Sequence, residues 1–99
     1  MTTFGECIRK LREEQNLSLR ELSSELHVDS SLIGKIERNE RQPTKGFIKQ
    51  VADYFKIDEK QLINEVFSDF IANKIIYENV DIEVLKAAEK KVNYFKRKN

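Results

Sequence analysis

The sequence predicts an all-α fold, and three observations predict it. Charged residues make up 35% of the 99 residues while breakers are scarce, with Gly 3 and Pro 1. That balance suits helices with solvated faces and leaves too few turn residues for an all-β chain. Apolar residues recur at three- and four-residue spacings from Phe4 to Phe95, the period of a helix with one buried face. Between these stripes stand short polar residues placed as helix caps: Ser18, Asp29, Thr44 and Asp58.

The elements follow in order. The first helix carries Phe4, Cys7/Ile8 and Leu11 and ends near Gln15-Asn16, where Asn tolerates left-handed backbone. Ser18 caps the second, and Glu21 three residues later completes a capping box. Leu19, Leu22 and Leu26 form its stripe, and His27 stands where it stops. Asp29 caps the third, ahead of Ser30-Ser31, with Leu32, Ile33 and Ile36 behind. Asn39 to Pro43 reads as a polar loop. Thr44 caps a fourth helix carrying Phe47, Ile48, Val51 and Tyr54/Phe55. Asp58 caps a fifth, with Leu62, Val66 and Phe70 on one stripe and Ile63, Phe67 and Ile71 on the next. The pattern breaks at Asn79-Val80-Asp81. A last helix carries Ile82, Leu85, Ala88, Val92 and Phe95 before Lys96-Arg97-Lys98, which reads as a soluble end.

Composition excludes several function classes. Lys+Arg 18 against Asp+Glu 17 gives +1, so no charged tail advertises a partner. The single cysteine forms no intrachain disulfide, and Cys7 with His27 is too poor a set for a metal. Cys7 reads as a small core residue. Neither metal nor cofactor is expected. Hydrophobic runs reach only three residues, as in Phe70-Ile71-Ala72. That excludes a transmembrane helix and a secretory leader, and the chain reads as soluble and cytoplasmic with no membrane partner. There is no Gly-rich phosphate loop, no nucleophile beside a base and no His pair at ligand spacing, so no enzyme is expected.

The informative stretch runs from Ser18 to Asn39: short helix, tight turn, second helix, basic loop. A helix-turn-helix needs a small residue where the helices cross, a left-handed residue in the turn, and apolar residues locking both. Ser23 is the small residue, His27 the turn residue, and Val28, Ile33 and Ile36 the lock.

The run NLSLRELSSELHVDSSLIGKIERNERQPT resembles the phage-repressor-like (Cro, or XRE) helix-turn-helix family, with its L-S/T-x-x-x-L, V-x-x-x-x-I and I-E-R-x-x-R-x-P pattern. The resemblance extends from Phe4 to about Leu62. It implies a five-helix DNA-binding domain, usually dimeric, that regulates transcription. Residues 1–62 would be that domain and 63–99 a C-terminal helical extension for dimerisation, because the second apolar stripe of the fifth helix exceeds one core's needs. Two departures are visible. His27 stands where members usually carry Gly, and Leu19 stands where many carry a phosphate-holding Gln.

In such a module the start of the second helix meets base edges while the first crosses the backbone. The expected base readers are Ser30, Ser31 and Lys35, with Gly34 on the same face letting the helix sit deep. From Lys35 to Lys49 there are five basic residues against two acidic, a local excess of +3. Ser18, Arg38, Arg41, Thr44 and Lys45 are the expected backbone contacts. The resemblance further implies a structural ion pair between Arg12 and Glu37. The expected function is therefore a sequence-specific transcriptional regulator, a repressor or a restriction–modification controller-like protein. It would bind double-stranded DNA at a two-fold operator as a homodimer. The alternative is an antitoxin-like or anti-regulator protein whose C-terminal helices bind a partner protein.

Overall fold

The structure, a computed structural model, describes residues 3–98. Among these the chain forms six helices and no strand: α1 (Phe4–Glu14), α2 (Leu19–Leu26), α3 (Ser30–Glu37), α4 (Lys45–Phe55), α5 (Glu59–Glu78) and α6 (Val84–Lys98). They fall into two compact units, the first running to Ser68 and the second from Asp69.

Local chemistry sets the helix starts. Ser18 Oγ accepts from the Glu21 amide at 3.0 Å while Glu21 Oε1 accepts from the Ser18 amide at 2.9 Å. Asp29 Oδ1 accepts from Ser31 at 3.1 Å, Thr44 Oγ1 from Phe47 at 3.1 Å, and Asp58 Oδ1 from Gln61 at 2.9 Å. Thr3 does the same for α1 through the Glu6 amide at 3.1 Å. A cap of this kind stabilises by about 1 kcal/mol.

The helix ends share one device. Asn16, His27, Asn39, Lys56 and Asn79 all have positive φ, between 53° and 61°. The residue after each donates back five residues: Leu17 to Arg12, Val28 to Ser23, Glu40 to Lys35, Ile57 to Ala52 and Val80 to Ile75. These are Schellman closures, normally glycine's task, made here with no glycine at positive φ.

In the first unit α1 packs on α3, and α2 packs on both α3 and α4. Ile8, Leu22, Ile33, Ile36, Ile48 and Val51 are fully buried, one or two from each of these helices. Burying each such side chain stabilises by about 1.5–3 kcal/mol. Phe4 and Phe47 meet edge to face at 6.4 Å. Leu62 and Val66 of α5 are also buried, whereas Phe67 and Ile71 on the neighbouring stripe are exposed. Gly5 is buried because α1 crosses α3 there; a methyl on it would collide with the backbone carbonyl of Ile36.

The second unit contains the end of α5, a turn and α6. Asp81 Oδ1 accepts from the Glu83 amide at 2.8 Å and starts the chain back into helix. No residue of α6 is buried, and Ile76, Ile82, Val92 and Phe95 all stand exposed. Among the described residues, no helix is long and apolar enough to cross a membrane.

Candidate nucleic-acid interface

Two helices and their turn position the candidate surface. Ser23 is buried in α2, its hydroxyl donating to the Arg20 carbonyl at 2.8 Å, so the small side chain consumes its own polarity where α3 packs. His27 takes left-handed backbone at φ 57° and ψ 43°, a conformation His tolerates better than bulkier or β-branched residues. Gln50 of α4 donates to the Leu26 carbonyl at 2.9 Å, satisfying the end of α2 from behind. Nothing in the sequence flags Gln50 for this task.

The front of α3 presents Ser30, Ser31 and Lys35, all exposed. Ser31 and Lys35 are one turn apart and share a face. Gly34 differs from expectation: it is buried rather than displayed. A methyl on Gly34 would stand 3.1 Å from Arg38 Nη1, 3.9 Å from Arg38 Cζ and 3.7 Å from Leu19 Cδ1. The glycine therefore makes room for an arginine of its own helix.

The acidic residues within this basic stretch are each paired. Glu37 is held by Arg12, with Nε to Oε2 at 2.8 Å and Nη2 to Oε1 at 3.0 Å. Arg12 Nη1 also donates to the Leu17 carbonyl at 2.8 Å, so one guanidinium ties α1 and α3 to the segment entering α2. The bond to Glu37 raises the Arg12 pKa above its ordinary value. Glu40 is bonded to Arg38 Nε, and Lys49 lies 3.7 Å from Glu59. Lys35, Arg41 and Lys45 are exposed and form no ion pair among the described residues.

Ser18 and Thr44 both accept from helix amides, which leaves each hydroxyl proton free to donate outward. At the start of α4 the Phe47 and Ile48 amides go to Thr44. The Lys45 and Gly46 amides stay at the helix end, and a side chain at Gly46 would meet Thr44 Oγ1 at 3.9 Å. That end suits an anion such as a phosphate. Cys7 is half-buried on α1, and burial pushes its thiol pKa up. Among the described residues no group of three or more His, Cys, Asp or Glu could hold a metal ion.

A short capped helix, a left-handed turn and a second helix with an exposed polar face define a helix-turn-helix protein. The chain belongs to the helix-turn-helix domain family, whose model matches residues 5–66, and it is of the phage-repressor-like (Cro/XRE) type. Among solved structures it is similar to a chain of the SinR protein/SinI protein complex, at 20% identity and a TM-score of 0.56. That likeness covers 96% of this chain and 99% of the other, and at this identity it describes the fold. No curated protein matches the sequence.

Proposed function

We propose that this protein is a sequence-specific transcriptional regulator, acting as a repressor or a restriction–modification controller-like protein. Ser30, Ser31 and Lys35 would read base edges in the major groove. Ser18, Arg41, Thr44 and Lys45 would hold the phosphate backbone. One observation carries this reading: Glu37 and Glu40 are both occupied by arginines, so the surface from Lys35 to Lys45 faces solvent with unpaired positive charge. Phosphate contacts act over about 10 Å in salt, so this local balance outweighs the chain's overall +1.

Residues 1–62 form the DNA-binding part in this reading, and 63–99 the dimerisation part. The exposed apolar residues of α5 and α6, with no buried residue in α6, support an isologous homodimer. Two recognition helices would then meet half-sites about 34 Å apart. The protein works in the cytoplasm and performs no catalysis in this reading.

One observation favours a second reading, in which α6 and the end of α5 bind a different protein: the similar solved chain comes from a complex of SinR protein with SinI protein. Selection from random duplexes by the full chain, with sedimentation in parallel, tests both. A two-fold motif and a stable dimer support the first reading. No enriched duplex, and a monomer that assembles only with a partner protein, would establish the second.

A further inference from the structure

We infer that Arg38 reads a guanine base edge rather than clamping a phosphate, and that Gly34 and Glu40 are positioning residues that aim its guanidinium. This rests on the DNA-binding reading above.

Arg38 caps the C-terminal end of α3. Side chains on a helix lean toward its N-terminus, so a residue there covers the turn before it. Gly34, four residues back, is the covered position: Arg38 Nη1 and Cζ are among the atoms nearest to where its side chain would be. Leu19 of α2 closes the other side of the same slot. The guanidinium thus lies over Gly34, a position one helical turn along α3 from Ser30 and Ser31. Arg41, by contrast, belongs to the loop beyond the helix.

The Arg38 side chain is 59% exposed, yet its Nε is bonded to Glu40. An ion pair this exposed contributes little to the fold. What it does supply is direction. With Nε occupied, the two terminal nitrogens remain as a fixed fork, the geometry that matches guanine O6 and N7 together. The same fork also fits a phosphate, so base preference rather than affinity is the readout that separates the two partners. A carboxylate beside the guanidinium repels the full charge of a phosphate more than the partial charges on guanine O6 and N7.

The test is selection from random duplexes by the full chain and by Arg38→Lys, Glu40→Gln and Gly34→Ala, each checked for an intact melting transition. The native chain should enrich a two-fold motif with a G at one fixed position per half-site. Arg38→Lys should keep the rest of the motif and the salt dependence but lose discrimination at that position by about tenfold or more. Glu40→Gln should lower the same preference while binding scrambled duplexes more tightly, since one negative charge has gone. Gly34→Ala should also blur that position without lowering the melting temperature. An unchanged motif with Arg38→Lys would make Arg38 a phosphate clamp and overturn the inference. If Arg38→Lys acts as expected while Glu40→Gln and Gly34→Ala leave the preference intact, the positioning roles are wrong. A native chain that enriches no motif overturns the DNA-binding reading itself.

Discussion

Arg12 of α1 and Glu37 of α3, 25 residues apart in sequence, form a two-bond ion pair with side chains only 13% and 6% exposed. The pair removes a carboxylate from the basic surface and ties α3 to α1 within the first unit. Glu37→Gln should therefore lower stability by about 3 kcal/mol, because a buried guanidinium loses its charge partner. Thermal and urea melts measure this. A variant as stable as the native chain but tighter on all duplexes would show that Glu37 acts toward phosphate instead.

Gly5 is the second point where α1 and α3 fix one another. The atom a side chain there would strike is the Ile36 backbone carbonyl, which cannot swing aside as a side chain could. Gly5→Ala should cost about 3 kcal/mol, the upper end for overpacking, despite alanine's better helix propensity. A urea melt at or above native stability would mean the helices separate without penalty.

The Ser18–Glu21 capping box carries a pH signature. The Ser18 amide, bonded to the Glu21 carboxylate, holds Glu21 below its ordinary pKa. A depressed carboxylate adds stability that is present above the unfolded pKa of about 4.3 and is lost as pH falls through the lower folded value. The melting-temperature gap between the native chain and Glu21→Ala should be open at pH 7 and close in acid below that range. A gap unchanged down to pH 2 would assign the difference to helix propensity alone.

Much of the fold is legible in the sequence because capping is local chemistry. Ser18 with Glu21, Asp29, Thr44 and Asp58 carry their signals within three residues, and each cap forms where expected. The left-handed ends at Asn16 and His27 are equally local, whereas Lys56 gives no such signal and yet ends α4 the same way. Gly5 and Gln50 act across the core on Ile36 and Leu26, contacts that no stripe or spacing encodes. Gly34 was legible as a glycine on α3, but what occupies the space it leaves depends on the Arg38 rotamer. Similarly, the net charge of the surface depends on which acids are paired: the resemblance implied Arg12 with Glu37, but nothing in the sequence implied Arg38 with Glu40.

Burial of Val66 extends the first unit's packing beyond Leu62, to Ser68. A chain ending at Ser68 should therefore fold with native-like helix content, sediment as a monomer and bind an operator about 10²–10⁴-fold more weakly than the full chain. Equal affinity for the shortened and full chains would remove the dimer role from the C-terminal residues.

The central claim is that α3 reads sequence while the loop and α4 hold the backbone. A salt titration of Lys35→Ala and Arg41→Ala, on the selected operator and on a scrambled duplex, tests it most directly. Lys35→Ala should cost about 1–3 kcal/mol on the operator and little on the scrambled duplex. Arg41→Ala should weaken both alike and flatten the slope of log K against log salt by about 1.8, for two lost phosphate contacts in a dimer. If Lys35→Ala weakens both duplexes equally while Arg41→Ala changes which base is preferred, α3 does not lie in the groove as proposed.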